Sequence, residues 1–269
     1  MIRRIILILT SFSATVAAQW LNYPTSGIPR LPDGKPNLSA PAPKGPDGKP
    51  DLYGLWEFDR ELDTTRRFDT AEPEMPFDTA APGITIKPED IVLTSEGEAR
   101  RRQRRENYFP AAQCLPDPLP RRYGALPFKI LTLRGLVVIL YEDKTTYRQI
   151  FMDGRPLPKD PNPTWSGYSI GKWDGDTLEV DTTGFNSDEW ILPGRRPHSD
   201  ALHIIERFRR RDFGHLELQS TISDPKIYAK PWTLKADFHL TPDTELLEYV
   251  CENERDLKHM VDKQSKGAN

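Results

Sequence analysis

The sequence predicts a mainly β protein, a closed antiparallel up-and-down barrel of about ten strands, with a two-layer β-sandwich as the alternative. Three observations carry that expectation. From Phe128 onward the chain reads FKILTLR, LVVILYE, TYRQIFM, GYSIGKW, TLEVDTT, LHIIERF, HLELQST, TLKADFHL and ELLEYVC, successive runs rich in β-branched and aromatic residues. Several alternate strictly: Leu216, Leu218 and Ile222 oppose Glu217, Gln219 and Thr221, which is the pattern of a sheet with one face on a core. No long helical crossover separates the runs, so a meander with antiparallel pairing throughout is expected.

Taken in order, residues 1–18 read as an export signal. Arg3 and Arg4 precede the apolar IILILTSFSATV, and Val16-Ala17-Ala18 offers small residues for cleavage before Gln19. The alternative, a membrane anchor, is disfavoured by an apolar run too short to span a bilayer. Losing both arginines takes the formal charge from −3 to −5, and an acidic chain argues against nucleic acid as a partner. Residues 19–53 form a proline-rich arm containing PDGKPNL at Pro32 and PDGKPDL at Pro46, each Pro-Asp-Gly-Lys a tight turn. The arm is either a strap across the domain or a tether, with disorder as the alternative.

Residues 54–127 supply a first strand, GLWEF, and then an irregular stretch in which Pro73, Pro76, Pro82 and Pro88 discourage regular structure. A helix should open at Ser95, with Glu98 completing a capping box. Its arginines at 100, 101, 102, 104 and 105 read as a solvated face. Residues 128–262 hold the barrel and a short final helix opened by Asn253 and Asp256 and packed through Leu257, Met260 and Val261; 263–269 form a disordered tail.

Connection lengths suggest where a ligand would go. In a meander, alternate connections lie at opposite ends. One end would hold EDKTT after Tyr141, Asp174-Gly175, RRDFG before His215, and TPDT from Thr241, all tight. The other would hold Leu133-Arg134-Gly135, Asp153–Ser166, Gly184–Asp200 and Ser223–Trp232. Three of those are long, and they carry Asp153, Arg155, Asp160, Trp165, Trp190, Arg195, His198, Tyr228 and Trp232. Barrels bind ligands at their mouths, so these connectors are expected to form an aromatic-lined rim; the alternative is that they plug the barrel end.

His198 is the candidate general acid or base at that rim, given a carboxylate such as Asp153, Asp160 or Asp200 to orient it. Ser199 is adjacent, but adjacency does not make a nucleophile–base pair. No metal site is expected, because the histidines lack ligand spacing, and no cofactor is implied. Arg148, Glu179, Asp181, Glu206 and Arg207 either form a network inside the barrel or exterior cross-strand pairs, and the exterior reading is favoured. Cys114 and Cys251 are expected to form a disulfide closing a loop of about 137 residues, worth roughly 5 kcal/mol in the chain-entropy model, with two separate thiols as the alternative.

Two resemblances follow from particular stretches. PDGKPDLYGLWEF, TYRQIFMDGRPLPKDPNPTW, SIGKWDGDTLEVDTTGF and PHSDALHIIERF together resemble a family of uncharacterised exported bacterial proteins, which implies no activity. Gly54-Leu55-Trp56 is similar to the Gly-x-Trp opening the first strand of lipocalin-like barrels. In that family the strand starts at the closed end, whereas the count above puts Gly54 at the long-loop end.

Three functions are open at this point. The first is an exported binder of a small organic molecule, aromatic or sugar-like, held by Arg155, Trp165, Trp190, Arg195, Tyr228 and Trp232. The second is a hydrolase, lyase or isomerase using His198. The third is an envelope protein that docks a partner through the arm and the arginine helix.

Overall fold

The computed structural model describes residues 24–58, 84–103, 114–124, 126–187, 190–192 and 196–249. The export signal, the final helix, the tail, Arg195 and Cys251 lie outside the described residues, and with Cys251 so does the expected disulfide. The described strands are β1 (Gly54–Phe58), β2 (Ile84–Ile86), β3 (Phe128–Leu133), β4 (Leu136–Tyr141), β5 (Thr146–Phe151), β6 (Tyr168–Asp174), β7 (Thr177–Thr183), β8 (Trp190–Leu192), β9 (Arg196–Pro197), β10 (His203–Arg210), β11 (His215–Ser223) and β12 (Trp232–Leu240), with one helix, α1 (Ser95–Gln103).

Nine of these close into a barrel in the order β1-β3-β4-β5-β6-β7-β10-β11-β12, with β12 pairing back to β1. Strand β2 shares the same edge of β12, opposite Leu234–Ala236, while β1 covers Phe238–Leu240. The ninth predicted run, ELLEYVC, is not a strand over its described residues. Leu247 and Tyr249 stay exposed, and the β12 edge it would need is already occupied by β1 and β2.

The expectation of antiparallel pairing throughout fails at one place, where β6 runs parallel to β5. The strand count makes such a place necessary. Each antiparallel neighbour reverses direction, and nine reversals around a ring do not return to the starting direction. The proline-rich 153–166 connector is the consequence: a two-residue turn cannot restart a strand beside its predecessor in the same direction. The join is slight, with Ile150 opposite Ser169 and Phe151 opposite Ile170.

This single reversal also corrects the assignment of ends. The 142–145 turn joins the long connectors 184–202 and 224–231, while Arg134-Gly135 joins Asp174-Gly175 and 211–214. Gly54 consequently starts β1 at the tight-turn end, not at the long-loop end.

Helix α1 begins one residue later than its cap, which is Thr94 rather than Ser95. The Thr94 hydroxyl accepts from the Gly97 amide at 3.1 Å. Glu96–Arg100 and Glu98–Arg101 pair along its surface. Gly97 is pressed against the Ile227 carbonyl, where no Cβ fits.

The arm is a strap over residues 24–53. Its two near-repeats fold identically, fourteen residues apart: Leu31 and Gly45 amides bond Lys35 and Lys49 carbonyls, and Asn37 and Asp51 amides bond Pro29 and Pro43 carbonyls. In each, the aspartate of Pro-Asp-Gly-Lys accepts from the lysine amide two residues on. The strap docks on the tight-turn end, where Phe213 and Gly214 amides donate to the Ala40 and Leu38 carbonyls, both at 2.7 Å. Arg210 holds its far end, donating to the Asp51 and Tyr53 carbonyls while lying 4.9 Å from the Trp56 ring.

At the near end Arg30 pairs with Asp243, whose side chain also accepts from the Thr25 amide. The hydrogen bond from Arg30 is the main cause that holds the Asp243 carboxyl below the usual carboxylate range. Because the folded pKa is depressed, this tie is fully present above pH of about 4 and lost as pH falls through the lower folded value. Proteolysis of the strap in a pH series should therefore accelerate in acid. Asp243→Asn, which tolerates the same left-handed backbone (φ 60°), should be cut faster already at neutral pH and show a flatter acid dependence. Identical cleavage of the two proteins across the series would show that this pair does not hold the strap.

Candidate functional site

The barrel interior carries a polar belt. Inward positions on β5, β6, β7, β10 and β11 are Arg148, Ser169, Thr182, Glu206 and Ser220, set among Ile150, Leu178, Val180, Ile204, Phe208, Leu218 and Ile222. Arg148, 2% exposed, donates through Nε to Ser169 (3.0 Å), through Nη1 to the Tyr123 hydroxyl (2.7 Å), and through Nη2 to Thr182 (2.8 Å) and Glu206 (2.5 Å). Burial alone would pull its pKa down; the Glu206 charge and the two tyrosine oxygens outweigh that and raise it. Glu206, fully buried, keeps its second oxygen without a hydrogen-bond partner, as does the Ser220 hydroxyl on the neighbouring strand position.

This splits the expected charge cluster. Arg148 and Glu206 are interior, contrary to the favoured exterior reading, while Arg207 meets Glu179 and Asp174 outside and His203 meets Asp181. The alternation would have shown it, since Glu206 shares parity with the inward Ile204 and Phe208.

Tyr123 reaches this belt from the segment 114–124, which enters beside the 142–145 turn. Its ring packs among Phe128, Tyr141, Phe208 and Phe238 at centroid distances of 5.1 to 6.1 Å. Burial pushes the Tyr123 hydroxyl well above its ordinary pKa, so it stays protonated at neutral pH.

The 184–202 and 224–231 connectors gather at one end with the later part of 153–166, which begins at the other end, where the Met152 amide donates to the Gly135 carbonyl. Thr164 bridges to Phe185, Pro161 lies against Gly184, the Phe185 ring meets His198 edge-on at 6.5 Å, and the Tyr228 hydroxyl donates to the Pro197 carbonyl at 2.8 Å. They pack as a cap. Phe185, Ile191, His198, Ser199, Asp224, Ile227, Tyr228 and Trp232 are buried, and the chain around Leu93 and Thr94 bonds across their outer side.

The expected site residues divide accordingly. His198 Nδ1 lies 3.1 Å from the Ser199 carbonyl, and the Ser199 hydroxyl donates to Asp224 at 2.8 Å, an interaction that braces two connectors. Asp153 is taken by Arg155, whose hydrogen bond is the main cause lowering its pKa, and Arg155 stacks 4.0 Å over Phe151. Asp160 is exposed and Trp165 half-buried. Asp200 pairs with Lys226. Tyr228, whose pKa burial raises, stands edge-on to Trp232 at 5.6 Å. The Trp190 backbone lies in β8; its side chain is outside the description.

A cleft of about 210 Å³ opens at the opposite end, between strap and barrel. Ile28, Pro43, Tyr53, Leu55, Phe213 and Leu240 give it apolar walls, and Lys129, Thr241 and Glu245 supply polar groups. Lys129 pairs with Glu245 at 2.8 Å and stands 5.9 Å from the Tyr53 ring. The Thr241 hydroxyl is buried without a hydrogen-bond partner. Tyr53 remains 46% exposed. These residues come from the strap, the start of β1, β3, the 211–214 turn and residues 240–245, and no motif unites them in sequence.

No family model, no curated protein and no solved structure matches this chain. The class is therefore set by the fold itself, a nine-stranded mixed barrel with a charged interior and a strapped end.

Arg148→Met, which leaves Glu206 buried and unpaired, should cost about 3–5 kcal/mol of unfolding free energy in urea titrations. Adding Glu206→Leu should restore most of that loss. A single-variant cost under about 1 kcal/mol would show that the pair does not brace the barrel.

Proposed function

We propose that the protein is exported and captures a small organic molecule, aromatic or sugar-like, in the cleft beneath its strap. The observation that carries this reading is the cleft: an apolar hollow walled by Tyr53 and Phe213, with Lys129 at its side and the unpartnered Thr241 hydroxyl. Apolar walls with a few convergent polar groups are the usual composition of small-molecule sites. A planar ring would stack on Tyr53, and a ligand hydroxyl would satisfy Thr241. Among the described residues no helix is long and apolar enough to cross a membrane. A second reading places the ligand at the connector end, where Trp165 is half-buried.

A thermal-shift screen of small aromatics and monosaccharides, followed by titration calorimetry, tests the two readings together. Tyr53→Ala should weaken the best ligand about three- to tenfold while leaving the unliganded melting temperature near the wild-type value, and Trp165→Ala should leave affinity unchanged. The reverse pattern would move the ligand to the connectors. Retention of full affinity by both variants would remove both sites. The mature chain recovered outside the cytoplasm should begin at Gln19; recovery with residues 1–18 intact would overturn export by cleavage.

A further inference from the structure

Arg122 is fully buried in the segment that plugs the connector end of the barrel. Its Nε donates to the Asp117 carbonyl at 2.6 Å, its Nη1 donates to the Ser166 hydroxyl at 2.8 Å, and its Cζ stands 5.2 Å from the Tyr141 ring centre. Nη2 has no hydrogen-bond partner. Every one of these contacts is to a neutral group.

The acidic groups beside it are taken by other cations. The Asp117 carboxylate faces Arg121 (3.4 Å) and Lys144 (3.6 Å), Asp143 takes Lys144 (2.7 Å), and Arg148 has Glu206. Among the described residues none of these carboxylates pairs with Arg122. A buried, uncompensated charge is costly, and the cost falls when an anion arrives.

We propose that Arg122 and Ser166 form a binding site for a small monocarboxylate. One carboxylate oxygen accepts from the free Nη2. The other accepts from the Ser166 hydroxyl, whose proton is available because its oxygen already accepts from Nη1. Ser166 is half-buried in the 153–166 connector. A single carboxylate supplies the ion-pair partner that the guanidinium lacks among the described residues. This site stands at the opposite end from the strap cleft and does not rest on it.

The test uses the full chain. Its melting temperature is followed as sodium acetate replaces sodium chloride at constant ionic strength, with acetamide as the neutral control. Acetate should raise the wild-type midpoint saturably and acetamide should not. Arg122→Met should lose the acetate response. Should that variant fail to fold, Ser166→Ala should weaken the acetate midpoint about tenfold, the loss of one hydrogen bond to a charged group. Equal behaviour of acetate and acetamide on the wild type would overturn the site. So would an undiminished acetate response in either variant.

Discussion

The Arg148–Glu206 interaction holds the ring where its backbone pairing is thinnest. An odd number of strands forces one parallel neighbour, and that join contributes two residue pairs, against six between β4 and β5 and seven between β6 and β7. Arg148 spans the gap from within. Its guanidinium ties β5 to Ser169 on β6, Thr182 on β7 and Glu206 on β10, and a fourth bond fixes Tyr123 of the plug. The aromatic cluster around Tyr123 packs on the same anchor, so the core and the seam share one hub.

Much of this was legible in the residues. Eight of the strand runs, the first strand GLWEF, the helix from Ser95 and the tight turn at Asp174-Gly175 all follow from alternation, capping and turn chemistry. The parallel join was not, because it depends on the number of strands in a closed ring, and no local signal counts them. ELLEYVC misled for a related reason: its composition suits a strand, but the edge it needed was filled by β1 and by β2, whose three-residue length gives no periodicity. The interior pair is legible in parity and obscured by residue type. Charge suggests an exterior; position 206 between 204 and 208 requires an interior.

The site divides along the same line. Pro161, Phe185, His198 and Tyr228 do meet at one end, but Arg134-Gly135, expected beside them, lies at the other, and side-chain burial makes a cap instead of an open rim. The strap cleft arises from tertiary packing alone. The repeated Pro-Asp-Gly-Lys turn defines the strap's local shape, but nothing in it indicates that Tyr53, Phe213, Leu240 and Thr241 will enclose a common space.

The clasp between β1 and β12 has a consequence for how the chain matures. Trp56 pairs opposite Leu240, so the strand that shuts the ring emerges from the ribosome long before its partner. Until β12 is made, β1 and the strap ahead of it have only one side of their seating, and the loop closed last is nearly the length of the barrel sequence. High contact order of this kind makes folding slow and leaves open edges in the meantime. Completion must therefore await the finished polypeptide.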